Sequence, residues 1–178
     1  TLELMNFSKK NIFSHVSYAV VRLPQGKMSS RTGDNILYSN FKEGVSEFAK
    51  EGLLKRWTKL SKKELEERSL KIAMASIKYT MLNQGSNKII IFDKEKALQF
   101  EGNTGPYLQY SYARASSIIK KAKSKKQLKI PNQFSKEELN LLSQISKFPQ
   151  TVEDSEKQLN PAMIANYAHQ LAQYFNEF

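Results

Sequence analysis

Apolar positions in the first hundred residues change from alternate spacing to helical spacing along the chain. Alternating positions predict a strand over 15–23, and apolar positions three or four residues apart predict helices over about 40–57 and 61–85. Ser61 and Glu64 form a capping box, which predicts that the second of these helices begins there. A short apolar run predicts a second strand over 88–92, and Asp93 can cap one turn of helix after it. The first part of the chain is therefore expected to combine short strands with helices.

The pattern from position 102 onward is helical after an initial turn. Gly and Pro residues predict the turn over 102–106, and a helix is predicted over 107–123. Ser135 begins a capping box, in which a Ser and a Glu three residues later each satisfy a backbone N–H, so a further helix starts there. Asn160 precedes Pro161 as a cap precedes the first helical residue, and this pair predicts the start of the last helix.

The change of pattern near Gly102 divides the chain into two predicted units, 1–101 with mixed α/β structure and 102–178 with helices. The fold class is therefore expected to be mainly α, with a few short strands in the first unit. The chain begins at Thr1 rather than at a Met, and it ends at Phe178 inside a helical pattern. We therefore expect a segment of a longer protein, truncated at both ends.

Charge narrows the classes of partner. The 28 Lys and Arg residues exceed the 17 Asp and Glu residues, and the net charge of +11 favours an anionic partner, nucleic acid before a membrane surface. No apolar run reaches the roughly 20 residues that cross a bilayer. The absence of Cys excludes disulfides and thiol catalysis, and two distant His residues do not suggest a zinc site. The densest basic run, expected to be a solvated helix end and linker, consists of Lys120, Lys121, Lys123, Lys125, Lys126 and Lys129.

A polar loop flanked by glycines, 26–33, lies between the first predicted strand and the first predicted helix. Lys27 supplies a mobile positive charge, and Ser29 and Ser30 supply hydroxyl and backbone donors. Arg31 adds a planar guanidinium, so the loop has the chemistry of a polyphosphate clamp. On these residues alone, a solvated basic surface loop is the simpler interpretation.

The predicted helix over 107–123 carries one stripe that mixes aromatic rings with cations. Helical spacing places these residues on one line: Tyr107, Tyr110, Arg114, Ser117 and Lys121. Aromatic rings that stack on bases, beside cations that hold phosphates, are a means of binding single-stranded RNA loops. From the spacing alone, half-buried packing tyrosines with their hydroxyls at the surface are the stronger interpretation.

Two other stripes are predicted to be buried. The first lies on the same helix, is extended by Ile118, and consists of Leu108, Tyr112, Ala115 and Ile119. The second lies on the last helix and consists of Met163, Tyr167, Leu171, Tyr174 and Phe178.

The segment Lys27-Met28-Ser29-Ser30-Arg31 resembles the Lys-Met-Ser-Lys-Ser motif of class I aminoacyl-tRNA synthetases, in the form found in arginyl-tRNA synthetases. The resemblance implies that these five residues bind ATP or pyrophosphate. It also implies that Lys27 is catalytic, because it stabilises the charge that develops on pyrophosphate. Ser30 stands where the motif has its second Lys, and the missing charge is expected to come from Arg31 or from outside this chain.

The run from Phe100 to Arg114 resembles the segment of arginyl-tRNA synthetases that leaves the catalytic domain and begins the anticodon-binding bundle. The resemblance implies that 1–101 is the end of a Rossmann-like catalytic domain and that 102–178 is the first part of a helical anticodon-binding domain. The residues that it implies for tRNA binding are Tyr107, Tyr110, Arg114 and Phe175.

The resemblance also implies the activity of the whole enzyme, in which arginine is attached to its tRNA with ATP through an arginyl-adenylate. Mg²⁺ is expected to accompany the ATP, and arginine tRNA, ATP and arginine are the expected partners. The implied protein is a cytoplasmic monomer that binds no membrane, and the isolated segment is expected to be inactive. The alternatives are another class I synthetase, a non-catalytic helical RNA-binding module, and a basic helical scaffold without anticodon preference.

Overall fold

The structure is a computed structural model that describes Met5 and residues 14–24, 37–57, 59–122 and 131–178. These residues form two short strands and seven helices. In chain order the elements are β1 (Val21–Arg22), α1 (Tyr38–Arg56), α2 (Lys62–Leu82), β2 (Ile90–Ile91), α3 (Lys94–Ala97), α4 (Gly105–Ala122), α5 (Lys136–Ser146), α6 (Phe148–Lys157) and α7 (Ala162–Glu177). None of these helices is both long enough and apolar enough to cross a membrane.

The two strands form a small parallel sheet, in which Val21 lies opposite Ile90 and α1 and α2 make the connection. The strand predicted over 15–23 is therefore much shorter than expected. Val16 and Tyr18 are exposed, because β1 pairs with a single two-residue strand among the described residues and no core covers its outer positions. Alternation in the sequence indicated an extended chain but could not give the length of the ladder.

α1 and α2 pack side by side and enclose an apolar core together with β2 and α3. The Ser61 hydroxyl accepts a hydrogen bond from the Glu64 N–H at 3.3 Å, and the Glu64 carboxylate accepts one from the Ser61 N–H at 3.2 Å. The predicted capping box thus begins α2. Phe92 is completely buried and stands edge-on to Phe41, with ring centroids 4.8 Å apart. The other buried members of this core are Val45, Ala49, Ala73, Ile77, Ala97 and Leu98.

Side-chain caps fix the connection between β2 and α4. Asp93 accepts hydrogen bonds from two N–H groups in the first turn of α3, which confirms the predicted one-turn helix. The Thr104 hydroxyl accepts a hydrogen bond from the Tyr107 N–H at 3.3 Å and donates one to the Gln99 carbonyl at 2.6 Å. Thr104 therefore caps α4 and holds the end of the preceding turn at the same time.

α4 begins at Gly105, so the turn predicted over 102–106 is wrong in its last two residues. Gly102, with a φ of 74°, makes the turn itself. At Gly105 the backbone of α4 approaches α2 so closely that a Cβ atom would overlap the carbonyl group of Ala75 and lie 2.9 Å from the Ser76 nitrogen. Only a glycine permits this approach, and it sets the position of α4 on α2.

The two helix starts predicted in the last third of the chain are confirmed. Ser135 accepts a hydrogen bond from the Glu138 N–H at 3.1 Å in a complete capping box, and Asn160 accepts one from the Ala162 N–H at 3.2 Å. α6 was not predicted. It follows α5 directly across Lys147, which ends one helix and begins the next without a capping side chain to mark the boundary.

The buried stripes predicted for α4 and α7 are only partly correct. Tyr167 is buried, but Tyr112 and Ile119 are 76% and 75% exposed and Phe178 is 60% exposed. The buried positions of α4 to α7 are instead mostly small or polar, and they include Ser111, Gln144, Ser155, Ala162 and Ala172. Apolar periodicity cannot locate an interface of this kind, because its residues resemble solvent-facing positions in the sequence.

Candidate nucleic-acid interface

α4 lies between α2 and α7 and carries the predicted RNA-binding residues on the α7 side. Tyr107 is half-buried, Tyr110 is 51% exposed one turn further along, and Arg114 is exposed one turn beyond that. Another side of α4 faces α2, where the Gln109 amide donates a hydrogen bond to the Lys71 carbonyl at 3.2 Å. The contact with α2 leaves Tyr110 and Arg114 accessible to a ligand.

Asn176 on α7 joins three side chains of α4. Its Nδ2 donates hydrogen bonds to the Tyr107 hydroxyl at 3.0 Å and to the Ser111 hydroxyl at 2.8 Å. Its Oδ1 accepts a hydrogen bond from Nη1 of Arg114 at 3.2 Å. Ser111 in turn donates to the Tyr107 carbonyl at 3.0 Å. The two helices are therefore connected by one polar network, and the orientations of Tyr107 and Arg114 are linked.

Phe175 reaches the same place from α7. The guanidinium carbon of Arg114 lies 5.7 Å from the centroid of the Phe175 ring, which is within the range of a cation–π contact. The structure thus brings together Tyr107, Arg114 and Phe175, and Tyr110 lies on the exposed surface beside them. We call these four residues the α4–α7 face.

The ring of His169 packs against the ring of Tyr107, with centroids 5.5 Å apart and planes inclined by 60°. Its Nδ1 is buried and has no hydrogen-bond partner among the described residues. Burial lowers the pKa of His169, because the charged imidazolium would lose hydration there. At neutral pH His169 is therefore an uncharged aromatic support for Tyr107 and adds no positive charge to the α4–α7 face.

Tyr79 connects α2 to α7. Its single O–H proton is shared between the side chain of Asn103, in the turn before α4, and the carbonyl of Ala165 on α7, 3.3 Å from the hydroxyl oxygen. Burial raises the pKa of Tyr79 to about 12, since the phenolate would be poorly hydrated. The neutral hydroxyl therefore acts as a fixed donor at the point where α2, the turn and α7 meet.

The predicted phosphate-binding loop lies outside the described residues, together with its members Lys27, Met28, Ser29, Ser30 and Arg31. In sequence it stands between β1 and α1. Two lysines of the basic run, Lys120 and Lys121, occupy the last turn of α4, where positive charge suits the helix dipole. The lysines of that run outside the described residues are Lys123, Lys125, Lys126 and Lys129.

Sequence reasoning missed three residues that organise this region: Ser111, Asn176 and Tyr79. Weak signals were present, because Ser111 stands four residues after Tyr107 and Asn176 directly follows Phe175. A polar residue on a helix is usually solvated, however, and only the packing of α4 on α7 reveals that these two hydrogen-bond each other.

Comparison with known proteins agrees with the resemblance found in the sequence. A model of the DALR anticodon binding domain matches residues 108–178. An arginine–tRNA ligase of Borrelia hermsii is 35% identical over 181 residues, which cover 98% of this chain and 30% of that protein. An arginine–tRNA ligase of Pyrococcus furiosus is also 35% identical, over 99% of this chain and 30% of its own length.

A solved structure is similar as well. Thermus thermophilus arginyl-tRNA synthetase superposes with a TM-score of 0.76 at 28% identity, over 89% of this chain and 26% of the synthetase chain. The chain spans about 30% of the length of the curated relatives that it matches. It is similar to arginyl-tRNA synthetases along nearly its whole length, and residues 108–178 match the DALR anticodon binding domain.

Proposed function

We propose that this chain serves in the attachment of arginine to its tRNA, as part of an arginine–tRNA ligase. The proposed reaction uses ATP, passes through an arginyl-adenylate and takes place in the cytoplasm, with a monomeric enzyme. The names of the relatives support this proposal, since they match nearly the whole of the chain. Mg²⁺ would accompany the ATP. No three His, Asp or Glu side chains cluster as metal ligands in the part of the chain that the structure describes, so we assign the ion no ligand here.

Within that reaction, residues 1–101 are proposed to contribute to ATP binding and residues 102–178 to tRNA binding. The role of the first unit rests on the resemblance of the loop from Lys27 to Arg31 to the class I motif. Lys27 is the proposed catalytic residue, because a mobile ammonium group can follow and stabilise the charge that develops on pyrophosphate. The chain by itself is expected to show no aminoacylation above background.

The α4–α7 face is the proposed contact with the anticodon loop. The observation that carries this proposal is the meeting of Tyr107, Arg114 and Phe175, from two helices, beside the half-exposed Tyr110. The rings offer stacking surfaces for unpaired bases, and the guanidinium offers donors for phosphate or base oxygens. On an ordinary solvent-exposed helix face, aromatic and cationic side chains are not usually held in fixed orientations by hydrogen bonds from a second helix.

The test is binding of this chain to the anticodon stem-loop of arginine tRNA, measured by fluorescence anisotropy over a range of salt concentrations. A stem-loop with a changed anticodon reports sequence preference. Tyr110→Ala is expected to weaken binding about 10-fold or more, since one stacked base contributes about 1–3 kcal/mol. Tyr112→Ala is the matched control, because Tyr112 lies two residues away on α4 and is even more exposed.

The proposed function predicts a preference for the arginine anticodon that Tyr110→Ala removes and Tyr112→Ala leaves intact. Equal, salt-sensitive binding of both stem-loops would mean that the charge of +11 alone attracts RNA. That outcome would favour the basic scaffold. If the preference for the arginine anticodon persists in Tyr110→Ala, the anticodon is recognised outside the α4–α7 face.

A further inference from the structure

The orientation of the Asn176 amide is determined by its neighbours. Arg114 has no hydrogen-bond acceptor, so the Asn176 atom 3.2 Å from its Nη1 must be the oxygen. The amide nitrogen then faces the hydroxyls of Tyr107 and Ser111. Both N–H groups of the amide are used, and a reversed amide would place two donors against each other at Arg114.

This orientation decides what Tyr107 can offer to a ligand. Because the Tyr107 oxygen accepts a hydrogen bond from Asn176, its own O–H is not directed at the Asn176 nitrogen. Among the described residues that O–H has no acceptor. Arg114 uses one N–H on Asn176 and keeps the others. The groups left for a ligand at Tyr107 and Arg114 are therefore donors.

We propose that Asn176 is a positioning residue that makes the α4–α7 face a hydrogen-bond donor site for RNA. Its amide turns the Tyr107 O–H outward and holds Arg114 beside it, so that the pair selects an acceptor group. Two RNA sources share that chemistry, the oxygens of a phosphate and the acceptor atoms of a base edge. This inference rests on the proposed function of the same face and assigns the direction of its hydrogen bonds.

Asn176→Asp tests the direction of these bonds without removing the side chain. The carboxylate has the shape of the amide but only accepts hydrogen bonds, so the Tyr107 O–H would turn inward to it. Arg114 would still be held, now by an ion pair. The fold is therefore expected to persist, while the outward donor of Tyr107 is lost and the charge of Arg114 is partly neutralised.

Gln173→Glu is the matched control for charge. Gln173 is exposed on α7, one turn before Asn176, so its replacement adds the same negative charge close to the helix end. A drop in RNA affinity from charge alone would be equal in the two variants. We expect Asn176→Asp to weaken binding of the arginine stem-loop by a further factor of about 10 relative to Gln173→Glu, as for a lost hydrogen bond in a binding site.

Tyr107→Phe distinguishes a positioning role of Asn176 from a purely structural one, because only a positioning role makes its effect on RNA affinity depend on residue 176. In the parent chain it is expected to weaken binding about 10-fold, and in the Asn176→Asp background it should have little further effect, because the outward donor is already lost. Equal affinity of Asn176→Asp and Gln173→Glu would overturn the proposal. The proposal would also be overturned if Tyr107→Phe weakened RNA binding by the same factor in the parent chain and in the Asn176→Asp background. This holds even if the unfolding temperatures of the variants differ.

The two sources of acceptor are separated with the changed-anticodon stem-loop. If Tyr107 donates to a phosphate, Tyr107→Phe weakens both stem-loops by the same factor. If it donates to a base, the variant reduces the preference for the arginine anticodon. If the proposed function is wrong, Tyr110→Ala will leave the preference for the arginine anticodon unchanged. If only this inference is wrong, Tyr110→Ala will still remove that preference, but Asn176→Asp and Gln173→Glu will have equal RNA affinity.

Discussion

The α1–α2 pair and the α4–α7 pair are both packed helices, but the side chains between them differ in kind. α1 and α2, with β2 and α3, enclose a continuous apolar cluster around the completely buried Phe92. α4 and α7 meet through Tyr107, Ser111 and Asn176, which hydrogen-bond one another. Many large apolar side chains of the last four helices are exposed, among them Tyr112, Ile118, Ile119, Leu139, Leu142 and Ile145.

The two kinds of interface differ in what they contribute to a protein. An apolar core stabilises a fold in proportion to the area that it buries and does not specify one geometry of polar groups. A hydrogen-bonded network contributes less net stability but fixes donors and acceptors in defined directions. We therefore expect changes in the first pair to alter mainly the free energy of unfolding, and changes in the second to alter mainly RNA binding.

The largest effect is expected for Phe92→Ala. Removing a completely buried aromatic ring that contacts Phe41 edge-on should lower the free energy of unfolding by about 3–5 kcal/mol. Chemical denaturation monitored by circular dichroism measures the change. Ile91→Ala is the neighbouring control, because Ile91 is largely exposed, and it should cost below about 1 kcal/mol. Similar losses in both variants would contradict the assignment of Phe92 to the core.

Gly105→Ala is expected to have the next largest effect. A methyl group would overlap the Ala75 carbonyl, so α4 must shift away from α2 at a cost of about 1–3 kcal/mol. Gly44→Ala is its control, because Gly44 lies in α1 with open space around the added methyl. That substitution should stabilise the protein by about 0.5–1 kcal/mol. Opposite signs in thermal unfolding are predicted, and a stabilising Gly105→Ala would refute the close approach.

Tyr79→Phe should produce a smaller loss, about 1 kcal/mol near neutral pH, because one hydroxyl is removed from Asn103 and the Ala165 carbonyl. The loss should also depend on pH. The folded-state pKa of about 12 exceeds the unfolded value of about 10, so the neutral phenol favours the fold below pH 10. This contribution disappears as the pH rises toward 12. The stability difference between the two proteins should therefore shrink over that range; a constant difference would mean that Tyr79 is hydrated in the folded protein.

The smallest effect on stability is expected for His169→Gln. The folded-state pKa of His169 lies below the unfolded value of about 6.5, so the neutral ring favours the fold above that pH. As the pH falls from about 6.5 through the folded pKa, this contribution is lost and stability should decline. His169→Gln should flatten that part of the stability profile in urea titrations at successive pH values. An unchanged slope would show that another group controls it.

The elements that local chemistry determines were predictable, and those that depend on tertiary placement were not. The capping boxes at Ser61 and Ser135 and the cap at Asp93 rest on neighbouring residues, and all three form as predicted. The length of β1 depends on a partner strand far along the chain. The start of α6 carries no capping side chain, and its local signal, Pro149 in the first turn, was missed.

In the candidate site too, the sequence indicated some residues but could not indicate the contacts between helices. The sequence indicated Tyr107, Tyr110 and Arg114 through their spacing on one helix, and the resemblance added Phe175 from another. The sequence could not indicate that Asn176 hydrogen-bonds to Tyr107 and Arg114, because a hydrogen bond between helices has no periodic signature. The roles of all these residues in RNA binding stay predictions.

The most direct test of the central claim is photo-crosslinking of this chain to an arginine tRNA anticodon stem-loop that carries 4-thiouridine in the loop, followed by mass spectrometry of the attached peptides. We predict attachment to α4 and α7 around Tyr107, Tyr110 and Phe175, with a yield that Tyr110→Ala reduces and Tyr112→Ala does not. Attachment confined to α5, or a pattern that is the same for a changed anticodon, would contradict the assignment of anticodon binding to the α4–α7 face.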